Sequence, residues 1–378
     1  MSYHFDLSEK ISKIGLSQWE SLAGLESPFL RYEFLNALEQ SGSVSAAAGW
    51  QPQHLRIFKD HQCIALAPLY LKTHSYGEYV FDYVWSDAYL KHGMNYYPKL
   101  VTAVPFSPIT LPKILSHLPT NDAYHLFSQI IKQICNEQRI ESWHGLFMDS
   151  TEKECLIQDR MIPRLGVQYH WFNKDYRSFE HFLERFNSRK RKNVHKERRK
   201  ITEQGIVIDG IEGADISSTL LDTFYQCYQL THLKRGRQGY LNKAFFQQLL
   251  DTMPEQIVMF AAKQGNTYVA TALCFKNKDT LFGRYWGSLN EYDSLHFETC
   301  FYQGIEYCIK HQLKRFDPGA QGEHKILRGF EPIETYSCHH IEHSGFQKAI
   351  AQFCQEEEQQ MIKQIDELKS WLPFKADH

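Results

Sequence analysis

The stretch QIVMFAAKQGNTYVATALCFKNKDTLFGRYWG, residues 256–287, decides the fold. It holds three runs rich in apolar and β-branched residues, Gln256–Lys263, Thr267–Lys276 and Asp279–Gly287. A Gly-Asn pair between the first two runs is typical of a tight turn between antiparallel strands. The stretch therefore predicts three strands that follow one another as a meander.

Helical segments surround this meander. Downstream, Glu298–Lys310 predicts a helix and Arg315–Asp317 a short strand. Upstream, Phe179–Ile201 predicts one long helix, followed by helices at Leu220–Tyr228 and Lys243–Leu250. Helices, a meander, a helix and a further strand make an α+β unit, and this is the order of elements in a GNAT (acyl-CoA N-acyltransferase) fold.

The first half of the chain mixes helices and strands in a similar way. Apolar residues recur at helical spacing in 28–39, and two strand-like runs at His54–Phe58 and Cys63–Leu71 flank a short polar turn. A helix is predicted at Asp122–Arg139 and a strand at Trp143–Met148.

The length of 378 residues exceeds what one hydrophobic core usually serves, so two domains are expected. We place them at 1–167 and 168–345. The polar, Gln/Glu/Lys-rich remainder, 346–378, predicts a C-terminal amphipathic helix.

The composition excludes several classes of protein. No apolar run reaches the 18 or so residues that a membrane span needs, and residues 1–10 lack the apolar core of a signal peptide. Nine scattered cysteines without a C-x-x-C pair favour reduced thiols over disulfides or a zinc site. No P-loop or dinucleotide fingerprint is present. We expect a cytoplasmic protein without a bound metal.

The charge is concentrated in one predicted helix. Eight of the twelve residues from Arg189 to Lys200 are Lys or Arg and one is Glu, a net charge of +7; since the whole chain carries −2, the remainder carries −9. Such a helix suits tRNA phosphates, a nucleotide diphosphate or an anionic membrane surface, or is a solvated helix balanced by the acidic remainder. The polyanion-binding candidates are Arg189, Lys190, Arg191, Lys192, Lys196 and Arg199.

Three other regions carry candidate site residues. Residues 72–111 are rich in rings with polar tips, which is typical of a cleft wall, although buried tyrosines with satisfied hydroxyls give the same pattern. The loop 231–240 combines three cations with two glycines, a composition suited to a phosphate or carboxylate but also found in ordinary surface loops. The turn 316–325 is rich in glycine and polar residues. The substrate-binding candidates are His74, Tyr76, Tyr97, Lys99, His232, Tyr240, Arg284, Tyr285, Gln321, Lys325 and Arg328.

Arg284 stands in an otherwise apolar and aromatic strand. A charge there is costly unless it is paired, so we expect Arg284 to contact Glu298 or a ligand anion; a purely structural Arg–Glu pair is the alternative. His296 lies two residues before Glu298, and either side chain could accept a proton during acylation of an amine. The catalytic candidates are His296, Glu298, Glu323 and His324.

With these residues in view, the chain resembles the FemAB-like family of predicted N-acyltransferases over roughly residues 25–345. The matching segments are GWQPQHL (49–55), PLYLKTHSYGEYVFD (68–82), YYPKL (96–100), SRKRKN (188–193), GRYWG (283–287) and DPGAQGEHK (317–325). The resemblance implies two GNAT-like domains in tandem with a cleft between them. It also implies transfer of an aminoacyl group from aminoacyl-tRNA to an amine of a peptidoglycan precursor.

The resemblance leaves the identity of the acyl donor undecided. GNAT enzymes bind the pyrophosphate of acyl-CoA with a Gly-rich turn at a helix start, but residues 290–299 contain no glycine. This departure favours aminoacyl-tRNA, as a co-substrate rather than a cofactor, over acetyl-CoA. An acyl-CoA-dependent N-acetyltransferase and a non-catalytic protein that recognises a murein precursor are the alternatives. Contact with a membrane surface fits these interpretations, and DNA is not an expected partner.

Overall fold

The computed structural model describes residues 3–320 and 322–375. The chain divides into two compact units. Unit 1 comprises Met1–Val167 with Glu334–Gln364, and unit 2 comprises Gln168–Ile333 with Ile365–His378.

Unit 1 is built from short strands and amphipathic helices. Its strands are β1 (Tyr3–Ser8), β2 (Trp50–Pro52), β3 (His54–Lys59), β4 (Gln62–Ala67), β5 (Tyr70–Lys72), β6 (Lys99–Thr102), β7 (Leu115–Ser116), β8 (Ser142–Met148) and the start of β9 (Ile162–Phe172). Its helices are α1 (Ile11–Ile14), α2 (Leu16–Ala23), α3 (Tyr32–Gln40), α4 (Tyr83–Lys91), α5 (Thr120–Gln138) and α6 (Ser150–Gln158).

Two strand systems organise unit 1. One is antiparallel, in the order β1-β3-β4-β7, and contains the predicted hairpin, with β3 and β4 turning between Lys59 and Gln62. In the other, β2, β5 and β6 are antiparallel and β6 is parallel to β8. Helix α5 connects these two parallel strands. Its buried residues Phe127, Ile131 and Ile134 recur at helical spacing and pack in one core with Trp143 of β8.

Helix α4 was not predicted, because its segment was interpreted as loop. Only Trp85 and Tyr89 are buried in this helix, at a spacing of four residues. Val84 and Leu90 are exposed, so the helix lacks a continuous apolar stripe and its sequence shows no clear helical period.

Unit 2 contains the meander and the basic helix. Its helices are α7 (Phe179–Glu184), α8 (Ser188–Glu203), α9 (Ser218–Leu233), α10 (Lys243–Thr252), α11 (Leu295–Phe297) and α12 (Gln303–Lys310). Its strands are β10 (Ile206–Glu212), β11 (Ile257–Gln264), β12 (Thr267–Lys276), β13 (Thr280–Ser288) and β14 (Arg315–Asp317). Strand β15 (Glu331–Ile341) begins in unit 2 and continues into unit 1. Most of the C-terminal helix α13 (Ser344–Ser370) belongs to unit 1.

The sheet of unit 2 confirms the predicted meander. Strands β10, β11, β12 and β13 pair antiparallel in sequence order. Strand β14 then pairs parallel to β13, from Thr280 with Arg315 to Phe282 with Asp317, and antiparallel to the end of β9. A parallel pair needs a crossover, and the helical segment 295–310 supplies it.

The prediction of one long helix over 179–201 is wrong. Helix α7 ends at Glu184 and α8 begins at Ser188. The side chain of Asn187 accepts a hydrogen bond from the backbone N–H of Lys190 at 3.0 Å, so it caps α8 and makes a new helix start favourable here. Phe186, just before the cap, forms a bridge with Phe374 of the C-terminal tail.

The helix predicted at 298–310 begins earlier and is not uniform. It starts at Leu295 and widens into a π-helical turn over Glu298–Tyr302 before α12. Such wide turns occur often at functional sites. The predicted terminal helix is confirmed, as α13.

Three general expectations concern membranes, thiols and metals. Within the described part of the chain, every helix is too short or too polar to span a bilayer. All nine cysteines are free thiols. Among residues 3–320 and 322–375, no cluster of three or more His, Cys, Asp or Glu side chains is arranged to hold a metal ion.

Candidate functional site

A buried ion pair marks the carboxyl ends of the parallel strands in unit 2. Arg284 Nη2 lies 2.7 Å from Asp317 Oδ2 and its Nη1 lies 3.2 Å from Oδ1, and each side chain is 2% exposed. Burial alone would raise the pKa of Asp317, but the guanidinium holds it well below its usual range. Both groups are therefore charged, and the pair joins β13 to β14 at the point where their ladder ends.

The expected contact between Arg284 and Glu298 is wrong. Glu298 instead binds Arg198 of the basic helix, with Oε1 3.0 Å from Nη2, and accepts a hydrogen bond from Gln303 at 2.8 Å. Glu306 accepts from the same guanidinium at 2.8 Å. Burial raises the pKa of Glu298 and Arg198 opposes it. Arg284 pairs with Asp317 because the parallel pairing of β14 with β13 places Asp317 beside it. The sequence alone did not reveal this pairing.

Lys325 organises the turn that follows β14. It is 4% exposed, and its Nζ donates to the carbonyl oxygens of Gly319 at 2.7 Å and of Pro318 and Ala320 at 3.4 Å. Burial lowers the pKa of Lys325 to about 7. Gly319 has φ +85°, and a side chain there would meet the Gly283 carbonyl at 3.3 Å. Only glycine allows this close approach of the two strand ends.

A cluster of cations surrounds His296. The rings of His296 and His324 lie 5.9 Å apart, centroid to centroid. Burial, together with the neighbouring His324 and the positive charges of Lys325, Arg328 and Arg235, lowers the pKa of His296 to about 4. The imidazole of His296 is therefore unprotonated at neutral pH. A place where several cations converge is suited to an anionic ligand.

Arg328 is held by three contacts. Its Nη2 lies 2.7 Å from Glu197 of α8, its Nη1 donates to the His324 carbonyl at 2.9 Å, and its guanidinium stacks 3.4 Å from the centre of the Phe297 ring. Tyr302 also donates to Glu197. Helix α8 thus contributes Glu197 and Arg198 to the site. The composition of the basic run did not distinguish these two residues from the exposed cations around them.

The remaining candidates of unit 2 have varied surroundings. Glu323 is exposed at the start of the 3₁₀ turn Glu323–Arg328, and Gln321 lies outside the described residues. Tyr285 is buried against Phe246. The ring of His232 packs edge-on against Tyr240. Among the described candidates of unit 2, the side chains of His296, His324, Lys325 and Arg328 lie in one cluster, and His232 and Tyr240 form a separate pair.

The basic helix presents one fully exposed face. Arg189, Lys192, Lys196 and Arg199, spaced three or four residues apart, are all exposed, and we call them the exposed stripe. Lys190 and Arg191 are half-buried, while Val194 and Ile201 form the buried side. Within the described residues, none of the four stripe side chains makes an ion pair. Four exposed positive charges without an ion pair suit a polyanion-binding surface.

Unit 1 holds a second, buried polar cluster around Lys99. This lysine is fully buried, and its Nζ donates to Ser75 Oγ at 2.9 Å, to Glu78 at 2.8 Å and to Asp82. The hydroxyl of Tyr97 bonds the same Ser75 at 2.8 Å. Burial raises the pKa of Glu78 to about 7, although Lys99 opposes the shift.

Lys72 lies beside this cluster. It is the strand partner of Lys99, so two lysines share one face of the sheet. Its Nζ lies 3.3 Å from His74 Nδ1, donates to the Tyr76 carbonyl at 3.2 Å and sits 3.8 Å from the centre of the Trp50 ring. Burial lowers the pKa of Lys72 to about 7. Four unit 1 candidates, at positions 74, 76, 97 and 99, therefore share one cluster.

The comparisons with known proteins agree with this architecture. The model of the FemAB-like family, described as peptidoglycan biosynthesis/recognition, matches residues 10–376. No curated protein sequence matches the chain. Among solved structures, FemX is 10% identical, with 93% of this chain and 100% of that chain covered and a TM-score of 0.52.

Two further structures are similar in fold. The C-terminal domain of a putative lysylphosphatidylglycerol synthetase from Agrobacterium fabrum is 7% identical, with 93% and 97% covered and a TM-score of 0.55. A tandem GNAT protein from the clavulanic acid biosynthesis pathway is 8% identical, with 90% and 98% covered and a TM-score of 0.46. The chain folds as an α+β protein of two compact units and is similar in fold to FemX, and it belongs to the FemAB-like family of peptidoglycan biosynthesis/recognition proteins.

Proposed function

We propose that this protein transfers an acyl group, specifically an aminoacyl group from aminoacyl-tRNA, to an amine of a cell-wall precursor, and that the reaction takes place in unit 2. The observation that carries the proposal is the convergence of His296 with the basic side chains of Lys325, Arg328 and Arg235 beside the carboxyl ends of β13 and β14. Ligands of sheets with parallel strands bind outside the carboxyl ends of those strands.

The backbone at this position is accessible to a ligand. Gly283 is partly exposed, and Arg284 is partly exposed although its side chain is buried, so the reachable atoms are those of the main chain. An edge of a strand can pair with an extended ligand through main-chain hydrogen bonds. The donor arm would lie along this edge beside the Gly283 carbonyl, which itself accepts a hydrogen bond from the Arg284 guanidinium at 2.9 Å.

The chemistry requires only positioning and one proton acceptor. The amine nitrogen forms a bond to the acyl carbon, the ester C–O bond of the donor breaks, and the proton of the amine passes to a base and then to the leaving oxygen. The unprotonated His296 is the proposed base. The positive charge of Arg328 stabilises the oxyanion that forms on the acyl oxygen. Glu298, engaged by Arg198, positions the wide helical turn.

A polyanionic donor fits the charge of unit 2. The exposed stripe runs along roughly 15 Å of helix at about 1.5 Å per residue, enough to follow several phosphates of a nucleic acid strand. The description of the family and the likeness in fold to a putative lysylphosphatidylglycerol synthetase are consistent with an activated amino acid as the transferred group.

The decisive experiment is a transfer assay read by mass spectrometry. The purified chain is incubated with an amine-bearing peptidoglycan stem peptide and with either a mixture of aminoacyl-tRNAs or acetyl-CoA. We expect one aminoacyl mass on the peptide, and only with tRNA. Product with acetyl-CoA alone would overturn the proposed donor. Absence of product with both, from a protein that still binds the peptide, would indicate recognition without catalysis.

A matched pair of variants tests the proposed base. His296→Gln should lower kcat by about 10²–10⁴-fold, the usual contribution of a general base, with a smaller change in KM. His311→Gln changes an exposed histidine of the same unit that stacks on Tyr307, so it should leave the rate unchanged. Equal rates in the two variants would exclude His296 as the base.

A further inference from the structure

The basic helix α8 contains one acidic residue in its run of cations. Glu197 is the single carboxylate between Arg189 and Lys200, where eight residues are Lys or Arg. An acidic side chain in a helix commonly pairs with a cation three or four positions away. The cation at that spacing, Lys200, instead pairs with Asp293. Glu197 is half-buried, and its carboxylate binds a residue of another segment.

The partner of Glu197 is Arg328, 131 residues further along the chain. Glu197 Oε1 lies 2.7 Å from Arg328 Nη2, and the other carboxylate oxygen, Oε2, accepts a hydrogen bond from the hydroxyl of Tyr302. Tyr302 is buried and ends the wide turn Glu298–Tyr302, whereas Arg328 ends the 3₁₀ turn Glu323–Arg328. One carboxylate therefore connects α8 to both turns of the candidate site.

The next residue, Arg198, holds the other end of the wide turn. Its Nη2 lies 3.0 Å from Glu298 Oε1 and its Nη1 lies 2.8 Å from Glu306 Oε1. Glu298 begins the wide turn and lies two residues after His296. Two adjacent residues of α8, one acidic and one basic, therefore fix both ends of the backbone segment that follows His296.

The orientation of the Arg328 guanidinium depends on Glu197. Among residues 3–320 and 322–375, Glu197 is the one carboxylate that forms an ion pair with Arg328, and the Nε atom of Arg328 is buried without a hydrogen-bond partner. Without Glu197, the guanidinium would keep only its bond to the His324 carbonyl and its contact with the Phe297 ring. Neither of these contacts brings a compensating negative charge to a side chain that is 8% exposed.

We propose that Glu197 is a positioning residue for the reaction in unit 2. It holds the charge of Arg328 near His296 and fixes the end of the turn that follows this histidine. The cation and the base thus keep the places that transfer requires. The role of Glu197 in transfer rests on the proposed function, whereas its fixation of Arg328 rests on the contacts alone.

Nuclear magnetic resonance of the arginine-labelled chain tests the fixation without a ligand. In the wild-type chain we expect separate signals for the two Nη groups of Arg328, because a bonded guanidinium rotates slowly about its Cζ–Nη bonds. Arg328→Lys assigns these signals. Glu197→Ala should merge them, whereas Glu203→Ala, at an exposed position of the same helix, should leave them separate. The signals of Arg284, which Asp317 holds, are the reference in each spectrum.

Two results of this experiment would overturn the fixation. One is merged Arg328 signals in the wild-type chain, and the other is separate signals in the Glu197→Ala chain. Should Glu197→Ala not fold, Glu197→Gln replaces it, because glutamine keeps the size of the side chain and removes its charge. Rotation at Arg328 should then be about tenfold faster than in the wild-type chain, since a neutral hydrogen bond is weaker than a charged one. An unchanged rate would overturn the fixation.

The transfer assay with aminoacyl-tRNA and stem peptide tests the role in catalysis. Glu197→Ala should lower kcat by about 10- to 100-fold, because a small displacement of a stabilising group is costly to the rate. The KM for aminoacyl-tRNA should stay the same, because the exposed stripe is intact. Glu203→Ala removes the same charge from α8 and should keep the wild-type kcat and KM.

The kinetic outcomes separate positioning from other effects. An unchanged kcat in Glu197→Ala would overturn the positioning role, and so would a raised KM with the wild-type kcat, which is a loss of donor binding. Equal losses of kcat in Glu197→Ala and Glu203→Ala would also overturn it, because they would reflect only the charge of the helix. Absence of product from the wild-type chain would sink the proposed function and this role with it, and the resonance experiment then decides whether Glu197 fixes Arg328.

Discussion

Replacing the exposed stripe of α8 tests the link between charge and ligand. The perturbation is Arg189, Lys192, Lys196 and Arg199 changed together to Gln. Glutamine is a good helix former and these side chains are exposed and make no ion pair within the described residues, so the helix should persist. The substitution removes four positive charges and little else.

The expected magnitude follows from counterion release. Four phosphate contacts give a slope of log affinity against log salt between about −2.8 and −3.6, since each contact contributes roughly 0.7 for single strands and 0.9 for duplexes. Raising salt from about 50 to 200 mM should therefore weaken tRNA binding about 50- to 150-fold in the wild-type chain. In the quadruple variant the slope should fall towards zero.

The assay is fluorescence anisotropy with end-labelled tRNA at several salt concentrations. The control is a quadruple Gln variant of exposed lysines in unit 1, at Lys10, Lys91, Lys348 and Lys363, which carries the same change in net charge. Equal slopes in the wild-type chain and the stripe variant would refute the reasoning. Loss of binding to anionic lipid vesicles instead of tRNA would assign the stripe to a membrane surface.

Three further predictions concern buried charges. Arg284→Met leaves Asp317 charged and buried, so urea unfolding should show a loss of about 3–5 kcal/mol, partly restored by adding Asp317→Asn; no restoration would contradict the pair. Lys99→Met leaves two buried carboxylates without their ammonium partner, so urea unfolding should show a similar loss of stability, about 3–5 kcal/mol. Burial holds the pKa of His144 and His339 well below the usual value. As the pH falls, the unfolded chain therefore binds protons at these histidines before the folded chain does. The free energy of unfolding is unaffected above about pH 6.5, and below it each histidine lowers this free energy by about 1.4 kcal/mol per pH unit. A double Asn variant whose stability falls as steeply with decreasing pH would contradict this.

Local patterns predicted most of the secondary structure. The apolar runs and the Gly-Asn turn in 256–287 predicted β11, β12 and β13, and the sequence of α5 predicted that helix. The break before Ser188 was missed because it depends on how one side chain, Asn187, bonds to the backbone rather than on a period in the sequence. Helix α4 was missed because apolar Val84 and Leu90 are exposed, so its sequence shows no clear helical period.

The candidate site was predictable in its residue types but not in its pairings. His296 stands out by its position two residues before Glu298, and His324, Lys325 and Arg328 lie in or near a turn rich in glycine and polar residues; the structure brings the four together. The partner of Arg284 lies 33 residues away on a parallel strand, and no local rule relates the two positions. The pairing of Arg198 with Glu298 could not be predicted, because Arg198 lies within a run of similar cations.

The central claim is that an anionic donor binds beside His296 in unit 2. Nuclear magnetic resonance of histidine-labelled protein, with His296→Gln to assign the signal, can follow the titration of this imidazole. Without ligand its pKa should be about 4, because burial and neighbouring cations disfavour the protonated form. A stable aminoacyl-tRNA analogue, with an amide in place of the ester, should raise this pKa by about one pH unit or more, since its negative charge offsets those cations. A titration that the analogue leaves unchanged at saturation would contradict the account.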